Sequence, residues 1–333
     1  MSIRVGLIGS GFMGRTWTEV AANHVAETEV VAVSGGRRAE ELAKDYGAAF
    51  EASPEALVRR ADIDLVIVTT PQPNHRDHVV LAADAGRHVL VEKPFSMTVA
   101  EADEMVGAAK RAGVTLAVCS QHRFRASPVF AQQLIGDGAI GAIRMVRAQG
   151  VTPWTEGVPE ENEPYADMGF HVCDLLRGIV GSRATLAFGR QASYKAELPR
   201  RQSTMAVYQF ENGVMADVWV TYEIPEPGVG SMMQYLITGE TGMIRLDSYG
   251  KVELGKGDGW TVAFEQPAFD PNNVNDPIRL RAYADELRDM VGAIRERREP
   301  LVSGGWARDT MELLEAVRIS GETGQAVGLP LRP

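Results

Sequence analysis

Cysteines, long apolar runs and an excess of basic residues are all missing or scarce in this sequence of 333 residues. The two cysteines, Cys119 and Cys173, lie far apart and lack the spacing of a metal site or a disulfide framework. No apolar run approaches the roughly 18 residues that a membrane span requires, and no export signal is recognisable. We therefore expect a cytoplasmic protein with buried free thiols, no metal and no membrane contact.

The charge balance argues against polyanionic partners. There are 34 Lys and Arg residues against 44 Asp and Glu, which gives a net charge of −10. Such a chain is not attracted to nucleic acid or to anionic lipid. Its length favours two domains rather than one. The composition thus predicts a two-domain globular protein with no nucleic-acid partner.

The pattern of apolar residues changes near residue 120. Residues 1–120 alternate short, continuously apolar runs with helical segments, as in βαβ units whose strands are covered on both faces. Residues 121–333 carry longer strands separated by turn signals such as Asn212-Gly213. The fold class is therefore α/β, with an N-terminal doubly wound parallel sheet over 1–120 and a C-terminal α+β domain with an open, mainly antiparallel sheet over 121–333.

Individual elements can be placed from the same pattern. The predicted strands are Ile3–Ile8, Val30–Ser34, Leu65–Thr69, His88–Glu92 and Thr115–Cys119, then 144–150, 185–194, 203–210, 214–222, 233–239, 242–247 and 251–254. Helices in the second domain are predicted at about 127–136, 166–180, 280–297 and 307–323. These helices would cover one face of the antiparallel sheet. We expect subunits to pair through the other face, as a homodimer or homotetramer.

A glycine-rich turn directly follows the first strand and opens a helix. Gly9, Gly11 and Gly14, with Phe12 and Met13 between them, form the pattern G-x-G-x-x-G. Gly9 permits the tight turn, Gly11 lets a pyrophosphate approach the backbone, and Gly14 lets helix and strand pack closely. The amides at the start of the helix favour phosphates. This turn predicts the dinucleotide-binding site of a Rossmann domain.

The end of the second strand bears on the choice of dinucleotide. An NAD site usually places a carboxylate there, whereas this chain has Ser34, followed by Arg37 and Arg38, and Glu29 lies at the other end of the strand. A 2′-phosphate is then not repelled, and the two arginines and the hydroxyl of Ser34 can bind it. NADP is favoured over NAD, although both arginines could instead simply be solvated at the helix start.

Further motifs carry a resemblance to a known family. They are Thr69-Thr70-Pro71 with Asn74-His75, Glu92-Lys93-Pro94, Gln121-His122-Arg123-Phe124, Asp167-Met168-Gly169-Phe170-His171-Val172-Cys173-Asp174, Phe210-Glu211-Asn212-Gly213, Gly239-Glu240-Thr241-Gly242 and Leu329-Pro330. With the Gly9 turn, they make the sequence similar, over nearly its whole length, to the glucose-fructose oxidoreductase / inositol dehydrogenase / rhizopine catabolism (Gfo/Idh/MocA) family. The resemblance implies sugar-like or polyol substrates. It also implies cofactor contacts by Thr70, Pro71, Asn74, His75, Glu92 and Lys93.

The catalytic candidates are Lys93, Asp167 and His171, as the resemblance implies. Asp167, His171 and Asp174 are spaced to share one face of a predicted helix, and Lys93 follows a parallel strand at the edge where ligands bind. His171 is expected to be the acid/base, and Lys93 is expected to polarise the reacting oxygen. Asp167 or Asp174 would orient the imidazole or bind a substrate hydroxyl. A helix cap at Asp167 and an interior histidine at position 171 remain the alternatives.

Two more residues, Arg123 and Trp154, are candidates for substrate binding. Many relatives carry a glycine-rich run before the aspartate, whereas this chain has an acidic segment at 160–166, so the loop bordering the pocket is altered. The predicted function is hydride transfer between a nicotinamide and a carbohydrate-like alcohol or carbonyl. A glycosidase or lyase using a transiently reduced NAD and a non-catalytic nucleotide-sensing regulator are the competing classes.

Overall fold

A computed structural model describes residues 2–153, 164–195 and 201–331, which divide into two compact units. Met1–Gln121 and Phe269–Met311 form the first unit, and His122–Ala268 and Glu312–Pro333 form the second. The division predicted from the sequence placed everything after residue 120 in one domain. None of the helices in the described ranges is both long and apolar enough to cross a membrane.

The helices and strands follow in chain order. The strands are β1 (Ile3–Ile8), β2 (Thr28–Ser34), β3 (Ala49–Glu51), β4 (Leu65–Val68), β5 (His88–Val91), β6 (Leu116–Val118), β7 (Ile143–Pro153), β8 (Ala184–Ala192), β9 (Ser203–Phe210), β10 (Met215–Ile224), β11 (Met233–Gly239), β12 (Met243–Asp247), β13 (Lys251–Lys256), β14 (Gly259–Glu265) and β15 (Val327–Gly328). The helices are α1 (Phe12–Glu19), α2 (Ala39–Asp45), α3 (Pro54–Val58), α4 (His75–Asp84), α5 (Val99–Ala112), α6 (Ala126–Gly136), α7 (Pro164–Val180), α8 (Pro277–Glu296) and α9 (Gly304–Thr323).

The first unit is built on a parallel sheet, and the predicted doubly wound architecture is confirmed. Among the described residues the sheet has six strands, in the order β3-β2-β1-β4-β5-β6. The strand order reverses between β1 and β4, and ligands of such sheets bind at the carboxyl ends of the strands near this point. The end of β1 therefore places the glycine-rich turn where a ligand is expected.

Helix α8 packs in the first unit and not over the antiparallel sheet, where the sequence analysis expected it. Its apolar residues Leu280, Tyr283 and Leu287 recur on one face of the helix. They share a buried core with Trp17 of α1 and with Val5 of β1. The spacing of the apolar stripe is visible in the sequence, but the sheet that it covers is not.

The second unit is built on a mixed sheet, and the predicted mainly antiparallel character is confirmed. Its described strands run in the order β14-β13-β12-β11-β7-β10-β9-β8-β15. Only β7 and β10 pair in parallel within this described part of the sheet. Helix α7 lies against β7, where a side chain at Gly150 would come within 2.6 Å of Met168 and Val172. The glycine thus lets α7, which carries the predicted catalytic residues, approach the sheet closely.

The opposite face of this sheet is rich in exposed apolar side chains. Along β9, buried and exposed residues alternate, as a strand with one solvent face requires. The exposed large apolar residues of this face include Met145, Phe188, Met205, Val207 and Met215. The mixed sheet therefore has a contiguous, partly apolar surface on the face that lies away from α7.

Candidate active site

The glycine-rich turn has the geometry that its sequence predicts. Gly9 has φ +119°, and a side chain there would come within 2.8 Å of the carbonyl oxygen of Thr69. A side chain at Gly14 would overlap the carbonyl oxygen of Gly9. At Gly11, by contrast, no described residue other than its two chain neighbours lies within 4 Å of the position that a Cβ would take. Gly14 thus lets α1 pack closely against the end of β1, Gly9 lets the turn approach Thr69 after β4, and Gly11 leaves open space.

That open space lies at the start of α1, which has no side-chain cap. The first amides of a helix have no intrahelical acceptor and attract anions. An uncapped helix start beside a glycine that leaves room for close approach fits the pyrophosphate of a dinucleotide. The residues present therefore suit the cofactor that the sequence predicts.

At the end of β2, the structure separates the three residues predicted to recognise the adenine ribose. Arg37 and Arg38 are exposed. Ser34 is fully buried, and its hydroxyl has no hydrogen-bond partner among the described residues. The backbone amide of Arg38 donates to the Ser10 hydroxyl at 3.2 Å. The two guanidinium groups are thus available to a ligand, whereas Ser34 could bind one only after a rearrangement of this turn.

The residues around Lys93 are held by one buried and one partly buried hydrogen bond. The Glu92 carboxylate accepts from the indole nitrogen of Trp17 at 2.8 Å and from the Lys93 amide at 3.0 Å. Burial raises the pKa of Glu92. Lys93 itself is half-buried. Glu92 therefore holds the turn from inside the unit and fixes the backbone from which the Lys93 side chain extends.

His75 links two loops at the same edge of the sheet. Its Nε2 lies 2.8 Å from the carbonyl oxygen of Thr70, and its Nδ1 lies 3.0 Å from that of Pro94. Burial lowers the pKa of His75. Pro71 and Asn74, on the surface of the first loop, are exposed. His75 is thus a buried link between the loops, while its two exposed neighbours are accessible to a ligand.

Helix α7 carries Asp167 and His171 one turn apart. Asp167 Oδ2 accepts a hydrogen bond from the Tyr222 hydroxyl at 2.9 Å. Burial and this carboxylate together raise the pKa of Tyr222. The imidazole of His171 is buried, and its ring centroid lies 4.6 Å from that of His122, in an edge-on arrangement. A carboxylate and an imidazole on one helical face form a pair that can orient a hydroxyl and move its proton.

Sequence analysis missed the polar neighbours of His171. His122 Nδ1 lies 3.0 Å from the Ser248 hydroxyl, and His122 Nε2 lies 3.5 Å from the Tyr249 hydroxyl. The guanidinium of Arg125 lies over the Tyr249 ring, 4.6 Å from its centroid. His122 belongs to the motif Gln121-His122-Arg123-Phe124, but nothing in the sequence indicates that Ser248 and Tyr249 lie beside it.

The other two predicted substrate ligands on described residues lie inside the second unit. Asp174 is fully buried and Arg123 is 5% exposed. Their charged groups are 3.9 Å apart, and a side chain at Gly178 would run into the Arg123 guanidinium. This geometry favours a structural ion pair between Asp174 of α7 and Arg123, and substrate binding by either residue stays a prediction. Trp154 and most of the acidic segment fall outside the described residues.

Comparison with known proteins assigns both halves of the chain. Residues 3–120 match an oxidoreductase family with an NAD-binding Rossmann fold, and residues 129–245 match the GFO/IDH/MocA C-terminal domain. The chain is therefore an oxidoreductase built on a Rossmann domain. It belongs to the Gfo/Idh/MocA family, as the sequence motifs predicted.

Individual relatives have low sequence identity to this chain but align with most of its length. D-apiose dehydrogenase from Paraburkholderia graminis is 28% identical over 97% of this chain and 88% of its own length. Inositol 2-dehydrogenase 3 from Saccharopolyspora erythraea is 29% identical over 74% of this chain and 73% of its own. An oxidoreductase from Agrobacterium radiobacter, solved with NAD+, L-tartaric acid and magnesium, superposes with a TM-score of 0.87 over 98% of both chains at 21% identity. Because the sequence identity is so low, this last comparison shows only that the two chains share a fold.

Proposed function

We propose that this protein is an NAD(P)-dependent dehydrogenase or reductase that acts on a CH–OH group of a sugar, polyol or cyclic diol. The observation that carries the proposal is the placement of Asp167 and His171 one turn apart on α7, in a chain whose glycine-rich turn after β1 leads into an uncapped helix. The names of the relatives, which include dehydrogenases of apiose and inositol, support the substrate class.

The chemistry follows from the ionisable groups. A bound nicotinamide supplies the acceptor or donor of the hydride. His171 removes the hydroxyl proton of the substrate in oxidation and returns a proton to the carbonyl oxygen in reduction. Lys93 donates a hydrogen bond to that oxygen and stabilises the charge that develops on it. Asp167, held by Tyr222, orients the imidazole or a neighbouring substrate hydroxyl.

Cofactor contacts are proposed for two groups of residues. The turn Gly9–Gly14 would hold the pyrophosphate, and the loops that contain Thr70, Pro71, Asn74, His75, Glu92 and Lys93 would border the nicotinamide. NADP is the favoured dinucleotide because Arg37 and Arg38 are exposed beside a strand end that lacks a carboxylate. Replacing both arginines by alanine should raise the KM for NADP at least tenfold and leave that for NAD within about twofold. Equal effects on both cofactors would argue against this preference.

A double-mutant cycle tests whether Lys93 and His171, which belong to different units, act in the same step. Lys93→Met and His171→Ala should each lower kcat at least about a hundredfold. The double variant should lose little more than the worse single variant, because groups that act together are not additive. Lys110→Met, an exposed lysine at the end of α5, is the matched control and should keep the wild-type rate. Full activity in both single variants would refute the assignment.

The exposed apolar face of the mixed sheet supports a further proposal, that two copies of the chain pair through it. Met205 is 65% exposed and Met215 is 53% exposed, and side chains of this kind are seldom clustered on a surface that stays in water. Substituting both by lysine should convert the assembly to monomers in sedimentation velocity. A wild-type protein that sediments only as a monomer at micromolar concentration would contradict the proposal.

The buried free thiols of Cys119 and Cys173 support a reducing, cytoplasmic location.

A further inference from the structure

Arg279, in the first turn of α8, has an unusual environment for a charged side chain. It is only 2% exposed. Its Nε donates to the carbonyl oxygen of Pro271 at 2.9 Å, and its Nη2 donates to the Thr16 hydroxyl at 3.1 Å. Its Nη1 is buried and has no hydrogen-bond partner among the described residues. Nε and Nη2 of the guanidinium thus have hydrogen-bond acceptors among the described residues, and Nη1 has none.

Within the described ranges, the guanidinium also has no carboxylate partner. No ion pair within 4.0 Å involves Arg279 in the part of the chain that the structure describes. Asp276, the nearby acid, caps α8 by accepting from the backbone amides of Ile278 and Arg279. A buried positive charge is costly unless an anion and hydrogen-bond acceptors surround it. No carboxylate of the described residues therefore balances the charge of Arg279.

An anion bound by this guanidinium would lie beside the glycine-rich turn. The guanidinium of Arg279 sits 5.0 Å from the ring centroid of Phe12, which is the residue between Gly11 and Met13. Its bond to Thr16 reaches the second turn of the same helix. The uncapped start of α1 already favours phosphate. A fixed cation at this point adds charge to a site otherwise made of backbone amides.

We propose that Arg279 is a dinucleotide-binding residue whose Nη1 donates a charge-assisted hydrogen bond to the pyrophosphate held at the turn. This inference rests on the proposed function and adds to it a residue that lies more than 260 positions after the glycine motif. Phe12 is 47% exposed, so its ring can shift to admit the ligand. Pro271 and Thr16 hold the guanidinium plane in place before the ligand arrives.

Calorimetric titration with NAD+, NADP+, ADP and adenosine tests the inference. Arg279→Gln should weaken binding of ADP and of both dinucleotides by about ten- to a hundredfold. Binding of adenosine, which has no phosphate, should change less than about twofold. Arg281→Gln is the matched control, since it lies two residues along the same helix with its side chain 77% exposed, and it should bind all four ligands as the wild type does.

A purely structural role for Arg279 makes a different prediction. The variant would then unfold at a lower temperature and lose affinity for ADP and adenosine by the same factor. Arg279→Lys keeps the charge without the planar fork. If Arg279→Gln does not fold, the affinities of Arg279→Lys for ADP and adenosine distinguish the binding role from the structural role. Affinities for ADP that match the wild type in both variants would overturn the inference alone. A wild-type protein that binds neither dinucleotide would instead refute the proposed function and, with it, this inference.

Discussion

Alanine substitutions at Gly14 and Gly11 should separate the folding role of the glycine-rich turn from its binding role. A methyl group at Gly14 would overlap the carbonyl oxygen of Gly9, and it would lie 2.8 Å from the carbonyl carbon of Gly9 and 3.1 Å from the Thr69 hydroxyl. Two of these three atoms belong to the backbone and cannot rotate away, so α1 must move relative to β1. Overpacking of this kind costs about 1–3 kcal/mol.

For a domain of this size, each kcal/mol lowers Tm by about 2–4 °C. We therefore expect Gly14→Ala to melt about 2–12 °C below the wild type in circular dichroism. Gly11→Ala should melt within about 2 °C of the wild type, because no described residue beyond its two chain neighbours lies within 4 Å of the added methyl group. Its dinucleotide affinity should nevertheless fall at least tenfold, since the methyl group occupies the space through which the pyrophosphate approaches. Wild-type melting of Gly14→Ala, or wild-type binding by Gly11→Ala, would refute this reasoning.

Three other perturbations test the surrounding contacts. Tyr222→Phe removes the hydrogen bond to Asp167 and should lower kcat about tenfold with little change in Tm; unchanged kcat in steady-state assays would contradict it. Arg123→Met removes the buried guanidinium that lies 3.9 Å from the Asp174 carboxylate and should destabilise the protein by about 3–5 kcal/mol in urea titration, and a loss below about 1 kcal/mol would count against a structural pair. Burial lowers the pKa of His75, so the unfolded chain binds an extra proton below about pH 6.5 and stability falls as the pH falls. His75→Gln should reduce the difference in Tm between about pH 7.5 and pH 5.5, and an unchanged difference would exclude this contribution.

The parallel sheet was predictable because its strands are short, buried on both faces and separated by capped helices. Helix α5, for example, begins after Thr98, whose hydroxyl accepts from the Glu101 amide, and ends at Gly113 with φ +67°. The edge strand β3 was missed because it has only three residues and its central Phe50 is 47% exposed. Strand β15, with two residues, carries no periodicity that a sequence pattern could reveal.

The catalytic helix was predictable, but its surroundings were not. The spacing of Asp167 and His171 places both on one face of any helix. Tyr249, in contrast, is separated from His122 by 127 residues and follows a strand whose pairing partners the sequence does not name. The position of α8 was missed for a similar reason, since its apolar stripe would fit either sheet. Long-range pairing, which decides these neighbours, leaves no local signal.

Transfer of deuterium tests the central claim of hydride transfer most directly. The wild-type protein is incubated with NADP+ or NAD+ and a panel of polyols, sugars and glycosides deuterated on their hydroxyl-bearing carbons, and the nicotinamide product is analysed by mass spectrometry. The proposed chemistry predicts a reduced nicotinamide that carries the deuterium with at least one of these substrates, and loss of this product in Lys93→Met and His171→Ala. No reduced nicotinamide with any substrate, or deuterium found only in water after cleavage of a glycoside, would contradict it.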